Sequence, residues 1–170
     1  MPRAAIGIGS SLGNRVAVVQ KAIAAIDRLQ DTHVVSVSDL YETPPMGGVA
    51  ENLFVNACAI VETALRPHEL LQAMLAVEKE LGRTRTRKWE DRTCDLDLLD
   101  YDGAVSEDPS LTLPHPMMSQ RAFVLIPLAQ IAPDMKHPVH KLTISQLTQM
   151  LSETEWASVR RIELDREGIH

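Results

Sequence analysis

The chain has 170 residues, 45% of them hydrophobic, and a formal net charge of −6, which is enough length to bury a core without disulfide or metal staples. That charge argues against broad electrostatic binding of DNA or RNA, and no stretch approaches the ~20 apolar residues needed to span a bilayer. Two cysteines far apart, Cys58 and Cys94, indicate neither a disulfide framework nor a zinc site, so the expectation is a single soluble, cytoplasmic domain over residues 1–170, without nucleic-acid or membrane partners.

In chain order, Ala4 to Gly9 is a short apolar run of the kind that forms a buried strand. It opens the stretch "AAIGIGSSLGNR", whose glycines are spaced G-x-G-x-x-x-G. From Arg15, the residues Val16, Val19, Ile23 and Ile26 recur at helical spacing and predict an amphipathic helix to about Gln30. His33 to Tyr41, "HVVSVSDLY", is β-branched and partly alternating, as a second strand is. The paired prolines and glycines of "ETPPMGGVAEN" then make a loop.

Phe54 to Thr63, "FVNACAIVET", is the third strand. A second helix starts at Pro67, carries Leu70, Met74, Val77 and Leu81 on one face, and is closed by Gly82. Thr93 to Tyr101, "TCDLDLLDY", is the fourth strand and completes β-α-β-β-α-β, the ferredoxin-like α+β pattern. The last third adds a helix within "PHPMMSQRAFVLIPLAQIAPD", a short helix around Ile144 to Leu151 and a closing strand near Val159 to Leu164.

This order argues against a dinucleotide-binding fold, which needs a helix between its second and third strands and an acidic residue at the end of the second. Asp39 stands where the acid belongs, but residues 42–52 cannot supply the helix. The glycines read instead as permitting a tight turn from strand to helix, with Ser10, Ser11 or Asn14 at the helix start.

Chemistry concentrates in three places. Arg83, Arg85, Arg87, Lys88 and Arg92 put five of the seventeen basic residues into one short loop of an acidic chain, which suits one anionic ligand, although a solvated charged loop has the same composition. On the fourth strand the two-residue period places Asp95 and Asp97 on one face. Side-by-side carboxylates repel unless they meet water or a cation, and hard oxygen ligands at this spacing suit Mg²⁺ together with substrate phosphates. Metal-binding carboxylates beside phosphate-binding arginines are what phosphoryl transfer requires. On the third strand the same period puts Phe54, Asn56 and Cys58 on one face, a ring and an amide able to stack a flat ligand and bond its edge. Core packing accounts for Phe54 equally well. His137 and His140 form H-x-x-H in a proline-bearing loop without a third ligand, a poor metal site.

Together "GSSLGNR", "YETPPMGG", "FVNA", "GRTR", "RTCDLDLL", "LPHP" and "RAFVLIPLAQIAPD" resemble, in order and spacing, the 6-hydroxymethyl-7,8-dihydropterin pyrophosphokinases of folate biosynthesis, over roughly residues 5 to 134. The resemblance implies a ferredoxin-like fold and transfer of the β,γ-diphosphoryl group of ATP to the pterin hydroxymethyl oxygen. It implies two Mg²⁺ ions on Asp95 and Asp97, with Arg92 and Arg83 also catalytic. Thr43, Pro45, Met46 and Asn56 would bond the pterin, Phe54 and Phe123 would stack on it, and Trp89 would close over it. Glu78, Arg83, Arg85, Arg92, His115 and Arg121 would serve ATP, in a monomer or weak homodimer. The chain departs from the family pattern at Ser11, where Asn is usual, and at Lys88, Glu90, Asp91, Ser110 and Ser119. Two other readings fit parts of the pattern. A different Mg-dependent transferase with a D-x-D strand would not need Phe54, Asn56 and Phe123, and a ligand-binding regulatory module would not need the aspartates.

Overall fold

The computed structural model describes residues 1–11, 15–43, 54–82 and 94–163. Pro45, Met46, Arg83, Arg85, Lys88, Trp89, Glu90, Asp91 and Arg92 lie outside them.

β1 (Arg3–Ser10) is the central strand, pairing antiparallel with β4 (Phe54–Thr63) on one side and β5 (Asp95–Tyr101) on the other. Beyond β4 lie β2 (Thr32–Val37) and β3 (Tyr41–Thr43), and a two-residue β8 (Arg160–Arg161) extends β3. The order of the four main strands, β5-β1-β4-β2, is that of the ferredoxin-like βαββαβ unit.

The second strand of the sequence reading is broken in two. β2 pairs with the far half of β4 and β3 with its near half. At the break the Ser38 amide donates to Cys58 O (2.9 Å), and Ser38 Oγ accepts from Cys58 N (2.9 Å). A side chain therefore replaces one rung of the ladder, which lets β3 turn toward the site without orphaning a buried backbone group. β8 is shorter than the expected closing strand, and residues 164–170 lie outside the described structure.

Strand alternation divides the core into two layers. Ile6, Ile8, Val55, Ala57, Leu96 and Leu98 face one side, where α1 (Arg15–Asp27) and α2 (Pro67–Gly82) cover them with Val19, Ile26, Leu70 and Met74. Ala5, Ile60 and Leu99 face the other side and pack under α3 (Ala122–Ile131) and α4 (Ile144–Gln149) through Leu125, Leu128, Ile144 and Leu147.

α1 ends at Asp27, earlier than its periodicity suggests, and the chain turns through Asp31 at φ 54° before β2. Two elements escaped the sequence reading: the hairpin of β6 (Ser106–Asp108) and β7 (Leu111–Leu113), and α5 (Glu153–Ala157). α5 is one short turn held by a capping box between Ser152 and Glu155. No described helix is long and apolar enough to cross a membrane.

Candidate active site

α3 covers only half of its sheet face, and glycine floors the other half. Register sets Gly9 between Asp95 of β5 and Asn56 of β4, and Gly7 between Asp97 and Cys58. Cross-strand partners share a face, so two carboxylates stand on one side of a strip without side chains and an amide and a thiol on the other. Both glycines lie inside β1, as the strand expected over Ala4 to Gly9 places them, and not in the strand-to-helix turn that their spacing also suggests. With Phe54, Arg121 and Phe123 as walls, these residues line a cleft of about 240 Å³. The sequence signal for the floor was present: glycines alternating with core Ile6 and Ile8 mark a strand face that something approaches closely.

Each polar wall residue is fixed by its surroundings. The buried Asn56 amide donates through Nδ2 to Thr43 Oγ1 of β3 (2.8 Å). Asp95 is exposed at the mouth of the cleft and Asp97 is half-exposed beside it. His115 follows a cis Leu113–Pro114 peptide. Its ring is set by Met117, whose N–H donates to Nδ1 (3.2 Å), so in the neutral imidazole the proton sits on Nε2, 3.9 Å from Asp97 Oδ1. Burial pushes the His115 pKa down, Asp97 draws it back up, and the Arg121 guanidinium lowers it again, for a net fall below the usual histidine value.

Arg121 immediately precedes α3, and its guanidinium carbon lies 5.6 Å from the centre of the Phe123 ring. Its buried Nε has no hydrogen-bond partner among the described residues. An unmet buried donor costs about 1–3 kcal/mol, so this wall is complete only when an acceptor, most naturally an anion, enters the cleft. Both thiols are inert here. Burial pushes Cys94 up to about 12 and raises Cys58 further, where Sγ donates to Val124 O (3.6 Å).

The structure thus brings Phe54, Asn56, Asp95, Asp97, Arg121 and Phe123 into one cleft, with Thr43 attached through Asn56 and His115 through Asp97. Glu78 stands apart on α2, across the sheet, and accepts from the backbone N of Leu96 through Oε2 (2.6 Å), so it anchors the strand that carries the aspartates. Ser10 and Ser11 are buried and line the cleft, a placement that the sequence reading confined to a helix start. Asp39 accepts from Gln130 Nε2 (2.6 Å) and pairs with Arg161 (3.3 Å). His137 Nδ1 accepts from the backbone N of Val139 and His140, as a turn cap does, and no cluster of three or more metal-ligating side chains occurs among the described residues. Of the positions that depart from the family pattern, Ser110 bonds Asp108 in the β6–β7 turn, and Ser119 Oγ lies 3.3 Å from His140 Nε2.

Residues 5–133 match the family model for 7,8-dihydro-6-hydroxymethylpterin-pyrophosphokinase (HPPK). The chain belongs to the HPPK family. It is 43% identical over 135 residues to the 2-amino-4-hydroxy-6-hydroxymethyldihydropteridine pyrophosphokinase of Methylorubrum extorquens, covering 79% of this chain and 85% of that one. To the protein of the same name in Haemophilus influenzae it is 38% identical over 153 residues, covering 90% and 95%. Among solved structures, the Plasmodium falciparum HPPK-DHPS with pteroate superposes with a TM-score of 0.77 at 14% identity, over 99% of this chain and 47% of that one. This chain therefore spans about half the length of that solved protein, and the likeness establishes the HPPK fold.

Proposed function

We propose that the glycine-floored cleft performs the HPPK reaction, transfer of the diphosphoryl group of ATP to the hydroxymethyl oxygen of 6-hydroxymethyl-7,8-dihydropterin in folate biosynthesis. The hydroxymethyl O–H loses its proton, its oxygen bonds to the β-phosphorus of ATP, the bond from that phosphorus to the α–β bridging oxygen breaks, and AMP leaves. The observation that carries the reading is the pairing across Gly9: a buried amide flanked by an aromatic ring on one side, a carboxylate pair on the other. Such a cleft holds a flat, hydrogen-bonding ligand at one wall and a metal-associated polyphosphate at the other.

The parts follow from their positions. Phe54 and Phe123 take the faces of the pterin, while Asn56, steadied by Thr43, meets its edge. Arg121, with its unmet Nε, and the Nε2–H of His115 supply donors for phosphate oxygens. Asp95 and Asp97 fit Mg²⁺, since they offer hard oxygens at the open mouth of the cleft and the metal needs only one or two carboxylates when phosphates and water complete its shell. When bound, two such ions supply charge neutralisation on the polyphosphate and lower the pKa of the attacking hydroxyl. Glu78 positions β5 and with it the aspartates.

The acidic charge of the chain argues against a nucleic-acid partner, and the proposal extends to a cytoplasmic enzyme that acts on small molecules as a monomer or weak homodimer. The test is product analysis by ³¹P NMR and chromatography. AMP and pterin diphosphate are expected only when ATP, Mg²⁺ and the dihydropterin are all present, and absence of any diphosphorylated pterin overturns the reading.

A further inference from the structure

Gly7 and Gly9 share a strand and a face, and neither has a positive φ, so backbone freedom accounts for neither. What distinguishes them is what a side chain would meet. A Cβ on Gly7 would sit 3.6 Å from the Leu99 side chain, an ordinary contact. A Cβ on Gly9 would sit 2.8 Å from Asn56 Oδ1, closer than carbon and oxygen sustain, while the nearest backbone atom, Val55 O, is 3.9 Å away.

The conflict is therefore with the head of one side chain and not with the sheet. Asn56 can relieve it only by swinging its carboxamide off β1. That head is buried and tied on its far side, through Nδ2, to Thr43 Oγ1 at 2.8 Å, so moving it breaks the bond that fixes its orientation toward the cleft.

We propose that Gly9 is a positioning residue for substrate recognition: by lacking a side chain it lets the Asn56 carboxamide lie across β1, clamped by Thr43, in the posture that reads the edge of the pterin. This rests on the cleft being the pterin site. Gly9 acts through Asn56, so its effect falls on the heterocycle and not on the nucleotide. The three atoms nearest the added Cβ belong to Asn56 and the Val55 backbone, and none to a residue that stacks on the ring or faces the phosphates.

The test combines Gly9→Ala, Asn56→Ala and the double variant with a spectroscopic measurement on ligand-free protein. Gly9→Ala raises the KM for the dihydropterin by about tenfold, the loss of one well-made hydrogen bond, and leaves the KM for ATP within about twofold. In the Asn56→Ala background Gly9→Ala adds nothing further, whereas a methyl that blocked the ligand directly would add its full penalty. The side-chain NH₂ resonances of Asn56 shift in Gly9→Ala and stay in place in Gly7→Ala. Multiplying penalties, or unmoved Asn56 resonances in Gly9→Ala, overturn the proposal.

If Gly9→Ala alone fails to fold, the double variant decides. Recovery of the fold upholds the contact with Asn56, and continued failure overturns it. The resonances need no turnover, so a protein inactive on pterin would refute the proposed reaction while leaving the Gly9–Asn56 coupling open to its own test.

Discussion

The cleft and the core beneath α3 are built on the same three strands, on the same face, a few residues apart. Under α3 the strands present Ala5, Ile60 and Leu99, which meet Leu125 and Leu128 in a closed layer. Toward the other end they present Gly7, Gly9, Asn56 and Asp97, and of the described helices α3 reaches the cleft with Phe123 and Val124 of its first turn. A register shift between Ala5 and Ile6, opposite the β5 segment that holds Leu99, separates the two ends. By adding one residue to β5 it returns Tyr101 to the layer of Leu96 and Leu98, while Leu99 enters the other. The site is thus a stretch of core surface from which bulk has been removed and polar groups substituted, on a frame that the closed end keeps rigid.

The sharpest way to break this comparison is to remove a carboxylate from the open end. Asp97→Ala should lower the rate of product formation by roughly 10²–10³-fold or more, because preorganised charge is the largest catalytic term in phosphoryl transfer. It should leave the thermal midpoint unchanged or higher, since Asp97 is half-exposed and His115 Nε2 is 3.9 Å away. Steady-state kinetics and a thermal melt check both. A variant that loses stability and keeps activity would show that Asp97 belongs to the frame.

The closed end should respond in the opposite way. Leu128 is fully buried between α3 and the sheet, and Leu128→Ala should cost about 2–5 kcal/mol through lost burial and the cavity left behind. Measured well below the lowered midpoint, kcat and both KM values should stay within about twofold. Urea unfolding and kinetics on one preparation distinguish this outcome from a core that tunes the cleft.

Much of this division was legible in the sequence. Period-two alternation placed Phe54, Asn56 and Cys58 together and Asp95 with Asp97, since strand geometry alone fixes those faces. It did not show that Gly7 and Gly9 face the cleft, although alternation with Ile6 and Ile8 implies it, because a glycine carries no hydropathy to read and the turn interpretation took the signal. The break at Ser38 was hidden for a different reason. A serine that substitutes its hydroxyl for a ladder rung looks like any other polar residue of a half-exposed strand until its partner, Cys58, is known from tertiary pairing. The β6–β7 hairpin and α5 are shorter than the windows in which periodicity can be counted. The role of Glu78 depends on a contact 18 residues along the chain, which no local pattern encodes.

A last and smaller contrast lies between two histidines, one at each end. Both accept a backbone N–H at Nδ1, His115 from Met117 and His137 from Val139 and His140, but His137 belongs to the connection between α3 and α4 and faces no substrate group. Burial, with a smaller contribution from His140, holds its pKa below the usual histidine value. In the unfolded chain the ring takes a proton near the ordinary value of about 6.5. Below that pH the unfolded state binds the proton first, so the stability that neutral His137 contributes is fully present above it and is lost as pH falls toward the lower folded value. The urea midpoint should therefore drop between about pH 7.5 and pH 5.5. His137→Asn, which keeps a side-chain acceptor for the turn and cannot titrate, should show a smaller drop over the same interval. An equal drop in the variant would assign that pH dependence to other groups and leave the closed end, unlike the cleft, without an ionisable residue that matters.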